Sequence, residues 1–291
     1  MSEATHRPTI EVPTVVGGWP APWPNVAELA SVLPADKWTL VGGLMTQLHT
    51  VRRGLGVVRP TNDVDIVLHI ETSRGVPAAT ASALESIGYS LMDTVDPRQN
   101  TAHRFVRGDS SVDVVANADE PDGPEDGPED GPEDGAGEAT EAGARPPAAG
   151  TVDVLRSDHP GPAIIESMRG RTMVAIDGGT QALRRTVNAR IEIAPGTDTV
   201  ISVPRPFAAV VLKAAAYLAD SRDRERHLFD AAALLACVED PFVEREGFAG
   251  SDRKRLLRLQ QALPESHLAW RQLGEARDDA QATLDVLLAQ P

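Results

Sequence analysis

The sequence predicts an α/β (α+β) protein: a mixed β-sheet core with helices over residues 25–203, then an all-helical lobe over 204–291. Three observations carry this. Leu40-Val41-Gly42-Gly43 reads as a strand whose glycines open a helix. Asp63-Val64-Asp65-Ile66-Val67 reads as a strand with two carboxylates at i and i+2, hence on one face. From Pro206 onward the apolar residues recur with helical spacing.

Residues 1–24, rich in Pro and Gly, read as a loose N-terminal arm. Asn25 caps a short helix to about Leu33, stopped by Pro34. Trp38 to Val41 is a strand, Gly43 to Leu55 a helix, and Thr61 to Ile70 the carboxylate strand. Pro77 to Ile87 is helical, with Leu84 and Ile87 on one side. Thr101 to Val106 and Ser111 to Ala116 form a hairpin around Arg107-Gly108-Asp109-Ser110. Next, 119–149 is predicted to be a disordered acidic insert. It repeats Gly-Pro-Glu-Asp three times from Gly123 to Asp134, so it buries no apolar surface and repels itself.

Strands resume at Thr151 to Leu155, Arg171 to Ile176 and Val187 to Ile193, and Asp177-Gly178-Gly179 is a turn. Pro206 suits a helix first turn, and helices of about 206–220, 223–238, 251–263 and 274–289 fill the rest. Phe207, Val211, Ala214 and Leu218 give the first an apolar face, flanked by Lys213. Leu228, Ala231, Leu235 and Val238 do the same for the second, with Asp230 off its edge and His227 nearer the apolar side.

The net charge of -15 is concentrated: residues 119–141 hold eleven carboxylates and no Lys or Arg, and without them the chain carries -4. The overall balance therefore argues neither for nor against a nucleic-acid partner. Cys237 is the single cysteine, which excludes a disulfide within the chain and fits a reducing cytoplasm. The best apolar run, Phe207 to Ala219, is broken by Lys213 and too short to span a bilayer. No basic stretch followed by an apolar one marks a secretory leader. A cytoplasmic protein without a membrane partner is expected.

The chemistry follows from the carboxylates. Two-metal nucleotidyl transfer needs acidic side chains that bridge a pair of Mg²⁺ ions, one at the attacking hydroxyl and one at the leaving pyrophosphate. Asp63 and Asp65 supply the bridge. A third carboxylate, ligand and base, comes from Asp113 in Val112-Asp113-Val114, or else from Asp153 in Val152-Asp153-Val154. Gly42 and Gly43 are placed to present backbone N–H groups to phosphates at a helix start, beside Thr61. Lys213 is placed to reach a triphosphate. Arg52-Arg53, Arg184-Arg185 and Arg253-Lys254-Arg255 with Arg258 are candidate contacts for an RNA backbone. Aromatics are scarce, which argues against a base-stacking surface.

Gly42-Gly43 and Arg59-Pro60-Thr61-Asn62-Asp63-Val64-Asp65 resemble the nucleotidyltransferase superfamily signature. The later elements are His103-Arg104-Phe105, Val112-Asp113-Val114, Gly178-Gly179-Thr180-Gln181-Ala182-Leu183, Lys213, and Arg226-His227-Leu228-Phe229-Asp230. Together, over about 36–240, the series resembles the AbiEii-like toxins of abortive-infection and toxin–antitoxin systems, including the MenT-type enzymes. The resemblance implies a nucleotidyltransferase-fold core against a helical lobe, with the site between them. It implies two Mg²⁺ ions, an NTP substrate, transfer of NMP to RNA at a tRNA 3′ end, and a cognate antitoxin. It assigns metal binding to Asp63 and Asp65, and completion of the site to Lys213 and Asp230, the latter orienting Lys213 or the acceptor. In relatives a Lys often stands where Arg226 or His227 stands here. The same chemistry on a small-molecule (antibiotic) or protein hydroxyl, and an inactive regulatory homologue, are the competing functions.

Overall fold

The structure, a computed structural model, describes residues 7–56, 59–70, 75–92, 101–102, 104–117, 167–173, 175–176 and 179–289. The acidic insert, Thr151 to Leu155 with Asp153, and the motif residues His103 and Gly178 lie outside them.

In chain order the elements are β1 (Thr9–Glu11), α1 (Trp23–Val32), β2 (Trp38–Leu40), α2 (Gly42–Arg53), β3 (Asp63–Leu68), α3 (Val76–Ser86), β4 (Ser90–Leu91), β5 (Thr101–Ala102), β6 (Arg104–Arg107) and β7 (Ser110–Asn117). Then come β8 (Ser167–Met168), β9 (Arg171–Met173), β10 (Ala175–Ile176), α4 (Gly179–Arg184), β11 (Thr186–Ala194) and β12 (Thr197–Pro204). The rest is helical: α5 (Pro206–Ala219), α6 (Glu225–Leu235), α7 (Pro241–Glu246), α8 (Asp252–Ala262), α9 (Leu268–Arg271) and α10 (Arg277–Leu288). The chain is thus mixed α/β followed by helices.

The central sheet runs β2-β3-β7-β6-β4, with β10 paired to the end of β7. β3 and β7 are parallel, while β2 and β6 flank them antiparallel. β6 and β7 form the expected hairpin, turned at Gly108-Asp109, where Gly108 has φ +57°, but its first strand starts only at Arg104: Thr101–Ala102, expected in the same strand, is β5 and pairs with β9 in another sheet. A second sheet, β1-β11-β12, lies against β2, and a buried hydrogen bond between Thr39 Oγ1 and Ser202 Oγ at 2.8 Å ties the two together. A third, small sheet is β5-β9-β8.

Three expectations are corrected. The arm is not loose over its described part, 7–24: β1 pairs in parallel with β11, and Val12, Trp19 and Trp23 are buried. Burying two indoles supplies the apolar area that a Pro- and Gly-rich stretch otherwise lacks. α1 begins at Trp23 rather than after Asn25, because Pro24 fits its first turn and no side chain caps it. β12 and the short helices α4, α7 and α9 were not anticipated. β12 had a legible signal: Thr199, Ile201 and Val203 alternate inward after a turn at Gly196.

Two apolar cores result. The first packs Val64, Ile66 and Leu68 of β3 with Val112 and Val114 of β7, Leu44 and Leu48 of α2, and Trp23 and Trp38. The second joins Val67, Val115, Val41 and Met45 to the helical lobe through Phe207, Val211, Leu228 and Leu235. Strand alternation creates this division, since one face of β3 and β7 feeds each core. Leu218, expected on the apolar face of α5, is half exposed because it falls in the last turn, beyond the packed stretch.

Candidate active site

The face of β3 that carries Asp63 and Asp65 also carries Val67, which is locked into the second core. Parallel register places Asp63 opposite Ser111, Asp65 opposite Asp113 and Val67 opposite Val115. The face therefore runs from an apolar seam under the helices to a polar row at the strand N-termini. There a cleft of about 320 Å³ opens between sheet and helical lobe. Gly42, Gly43, Thr61, Asp63, Asp65, Asp113 and Lys213 all line it, so the structure brings together the residues singled out from sequence.

The glycines earn their place sterically. The Val41 N–H donates to the Asp65 carbonyl at 2.9 Å, which sets Gly42 directly over Asp65. Gly42 has φ +68°, and a Cβ there would stand 1.8 Å from Asp65 Oδ2. A Cβ on Gly43 would stand 2.8 Å from the Thr61 side chain. The glycine pair makes room for the carboxylate and for Thr61 as well as starting a helix. Ser111, which sequence reasoning missed, donates its hydroxyl to Asp63 Oδ1 and so fixes that carboxylate.

Asp113 does not stand free as a third ligand and base. Arg104, opposite it on β6, donates to both its oxygens: Nε to Oδ1 at 2.8 Å and Nη2 to Oδ2 at 2.7 Å. Both side chains are buried. Burial raises the Asp113 carboxyl against the pull of Arg104, and the same bond raises the Arg104 guanidinium. Arg104 belongs to the His103-Arg104-Phe105 motif, but only the strand register reveals its partner.

The opposite wall is cationic. Lys213 on α5 is 4% exposed, not a solvated flank residue, and its Nζ lies 2.7 Å from Asp230 Oδ2. Asp230 on α6 also accepts from Arg59, from Nε at 3.4 Å and from Nη2 at 3.2 Å. Burial pushes the Asp230 carboxyl up, but Lys213 and Arg59 outweigh it and hold it below the ordinary value. Asp230 does not line the cleft. It positions two cations that do, and Arg59 was not foreseen in that role.

Asp220, Arg226 and His227 complete the rim. Asp220 Oδ1 accepts the Arg222 and Asp223 N–H groups, while Oδ2 meets Arg226 Nη2 at 3.0 Å and His227 Nε2 at 3.1 Å. Burial, then Lys213 and Arg226, lower His227 to about 4. It is neutral at pH 7, and its contact with Asp220 is a hydrogen bond rather than an ion pair.

Asp65 is half-buried, and burial, then the charge of Asp113, raise its carboxyl to about 6, with Lys213 opposing and Asp63 adding to the rise. Crowded carboxylates of this kind fit a divalent cation, which would relieve their repulsion. Among the described residues no group of three or more His, Cys, Asp or Glu converges as a metal site.

Two of the basic clusters are partly spent inside the protein. Arg185 bonds Asp252 at 2.7 Å, and Arg255 is buried. Arg53, Arg184, Lys254 and Arg258 remain exposed. Among the described residues no helix is long and apolar enough to cross a membrane. Compared with known protein families, curated proteins and solved structures, the chain finds no match in any of the three.

Proposed function

We propose that this protein is a nucleotidyltransferase of the toxin type that transfers NMP from an NTP to RNA, with a tRNA 3′ end as the leading acceptor. One observation carries the reading. Asp63 and Asp65 share a strand face beside a glycine whose missing Cβ their site requires, and face a Lys213–Asp230–Arg59 cluster across one cleft. Acidic and cationic walls a cleft-width apart suit a triphosphate and its counter-ion.

Asp63 and Asp65 would hold Mg²⁺, with Ser111 fixing the first of them. Bound there, Mg²⁺ supplies Lewis-acid polarisation of a phosphoryl oxygen and neutralises charge. Lys213, held by Asp230, binds and orients the triphosphate, and Arg59 adds a second donor set from the same anchor. The Gly43 N–H at the start of α2 faces the phosphates. An acceptor hydroxyl forms the new bond to the α-phosphorus, the bond to the bridging oxygen breaks, pyrophosphate leaves, and the hydroxyl proton passes to solvent. This reading does not use Asp113 as the base, because the Arg104 fork engages both its oxygens and holds its charge. A cytoplasmic location and a cognate antitoxin belong to the same reading.

The test is incubation of purified protein with total RNA, Mg²⁺ and each radiolabelled NTP, beside an Asp63→Ala/Asp65→Ala control. Label in tRNA-sized bands that depends on the carboxylates is the expected result. No transfer to RNA from any NTP by folded protein would overturn the RNA acceptor. Transfer to an antibiotic hydroxyl instead would assign the same site to small-molecule modification.

A further inference from the structure

We infer that this centre holds a single divalent cation, between Asp63 and Asp65, and that the Arg104 guanidinium stands as a permanent cation where a two-ion centre would use its third carboxylate. The inference rests on the nucleotidyl-transfer reading and deepens it.

The register makes the case. Arg104 is opposite Asp113, and Asp113 is opposite Asp65, so the three stand in one row across β6, β7 and β3. Directly opposed residues on adjacent strands point to the same face. The fork of Arg104 covers both oxygens of Asp113 in parallel bonds of 2.8 and 2.7 Å, the geometry that a guanidinium matches best. Neither oxygen has the lone pair that best faces a guanidinium left over for a metal.

Charge agrees with geometry. Three free carboxylates would present three negative charges, which one divalent ion leaves undercompensated. With Asp113 neutralised by Arg104, Asp63 and Asp65 present two, which a single divalent ion balances. Arg104 also feels Asp63 and Asp65 directly, both of which favour its charged form.

The pair is built to stay closed. The Arg104 and Asp113 side chains are 5% and 1% exposed, at mid-sheet positions on paired strands. Opening it for a metal would strip a buried carboxylate and a buried guanidinium of each other at once. No such penalty attends binding at Asp63 and Asp65, which are half-buried and line the cleft.

The test is metal stoichiometry on the full chain, read by calorimetry and by electron paramagnetic resonance with Mn²⁺, alone and with each α,β-methylene nucleoside triphosphate. One Mn²⁺ per chain with no spin coupling, abolished by Asp63→Asn/Asp65→Asn, is expected. Arg104→Gln should release Asp113 and admit a second, spin-coupled Mn²⁺. Two coupled ions in the native protein would overturn the inference, whether or not Arg104→Gln folds. If label transfer to RNA persists in that case, the nucleotidyl-transfer reading survives. No Mn²⁺ bound by the folded native protein, with or without nucleotide, would overturn both.

Discussion

Gly42→Ala probes the join between backbone and chemistry. Gly42 has φ +68°, so any L-residue there carries a left-handed cost of about 1–2 kcal/mol. The new methyl would lie 1.8 Å from Asp65 Oδ2 and 2.6 Å from its Cγ, far inside contact distance. The Asp65 carboxylate must turn away or α2 must shift, a further about 1–3 kcal/mol by analogy with overpacked cores. Gly54→Ala is the matched control: φ is +79°, and an added Cβ there meets nothing within 4 Å. It should show the backbone cost alone. Urea unfolding of the two variants separates the terms, and Mn²⁺ affinity reports the carboxylate. Gly42→Ala should lose the greater stability, by about 1–3 kcal/mol over the control, and most of its metal affinity. Equal losses in both variants, with metal binding intact, would refute the close approach of Gly42 to Asp65.

Asp230→Asn should destabilise by about 3–5 kcal/mol, because Lys213 is left charged and buried without its partner. Thermal denaturation gives the size, and transfer activity should fall with it. Ser111→Ala should cost only about 0.5–1.5 kcal/mol in urea unfolding yet weaken Mn²⁺ binding, since Asp63 loses the hydroxyl that fixes it. Acid should unfold the protein through its buried histidines. Burial chiefly lowers His49 from 6.5 to about 4, so between those values the unfolded chain binds the extra proton. Stability is then level above pH 6.5 and falls as pH drops towards 4, by about 3 kcal/mol for this group. His69 is lowered to about 4 in the same way. Urea midpoints taken from neutral to acid pH should show the fall, with a shallower slope in His49→Gln.

Much of the core was legible because it rests on local period. The alternation in Asp63-Val64-Asp65-Ile66-Val67 places the carboxylates on one face whatever the rest does, and Val67 beside them seats that face under the helices. The hairpin at Gly108-Asp109, the strand–glycine–helix unit at Leu40 to Gly43, and the stripe of Leu228, Ala231 and Leu235 were legible for the same reason. The arm misled because composition reports average solvation, while Trp19 and Trp23 act through where they land. Arg185 and Arg255 misled similarly, since a basic run does not say which members turn inward.

By itself the sequence determined the strand–glycine–helix unit, the shared face of Asp63 and Asp65, and the apolar stripes that make the last third helical. These are set by interactions within a few residues of the chain. Only the tertiary structure decided that Gly42 yields its Cβ space to Asp65, that Asp230 clamps both Lys213 and Arg59, and that Arg104 holds Asp113. Each joins groups from separate elements, and which charges meet depends on strand register and helix docking, which no local pattern encodes.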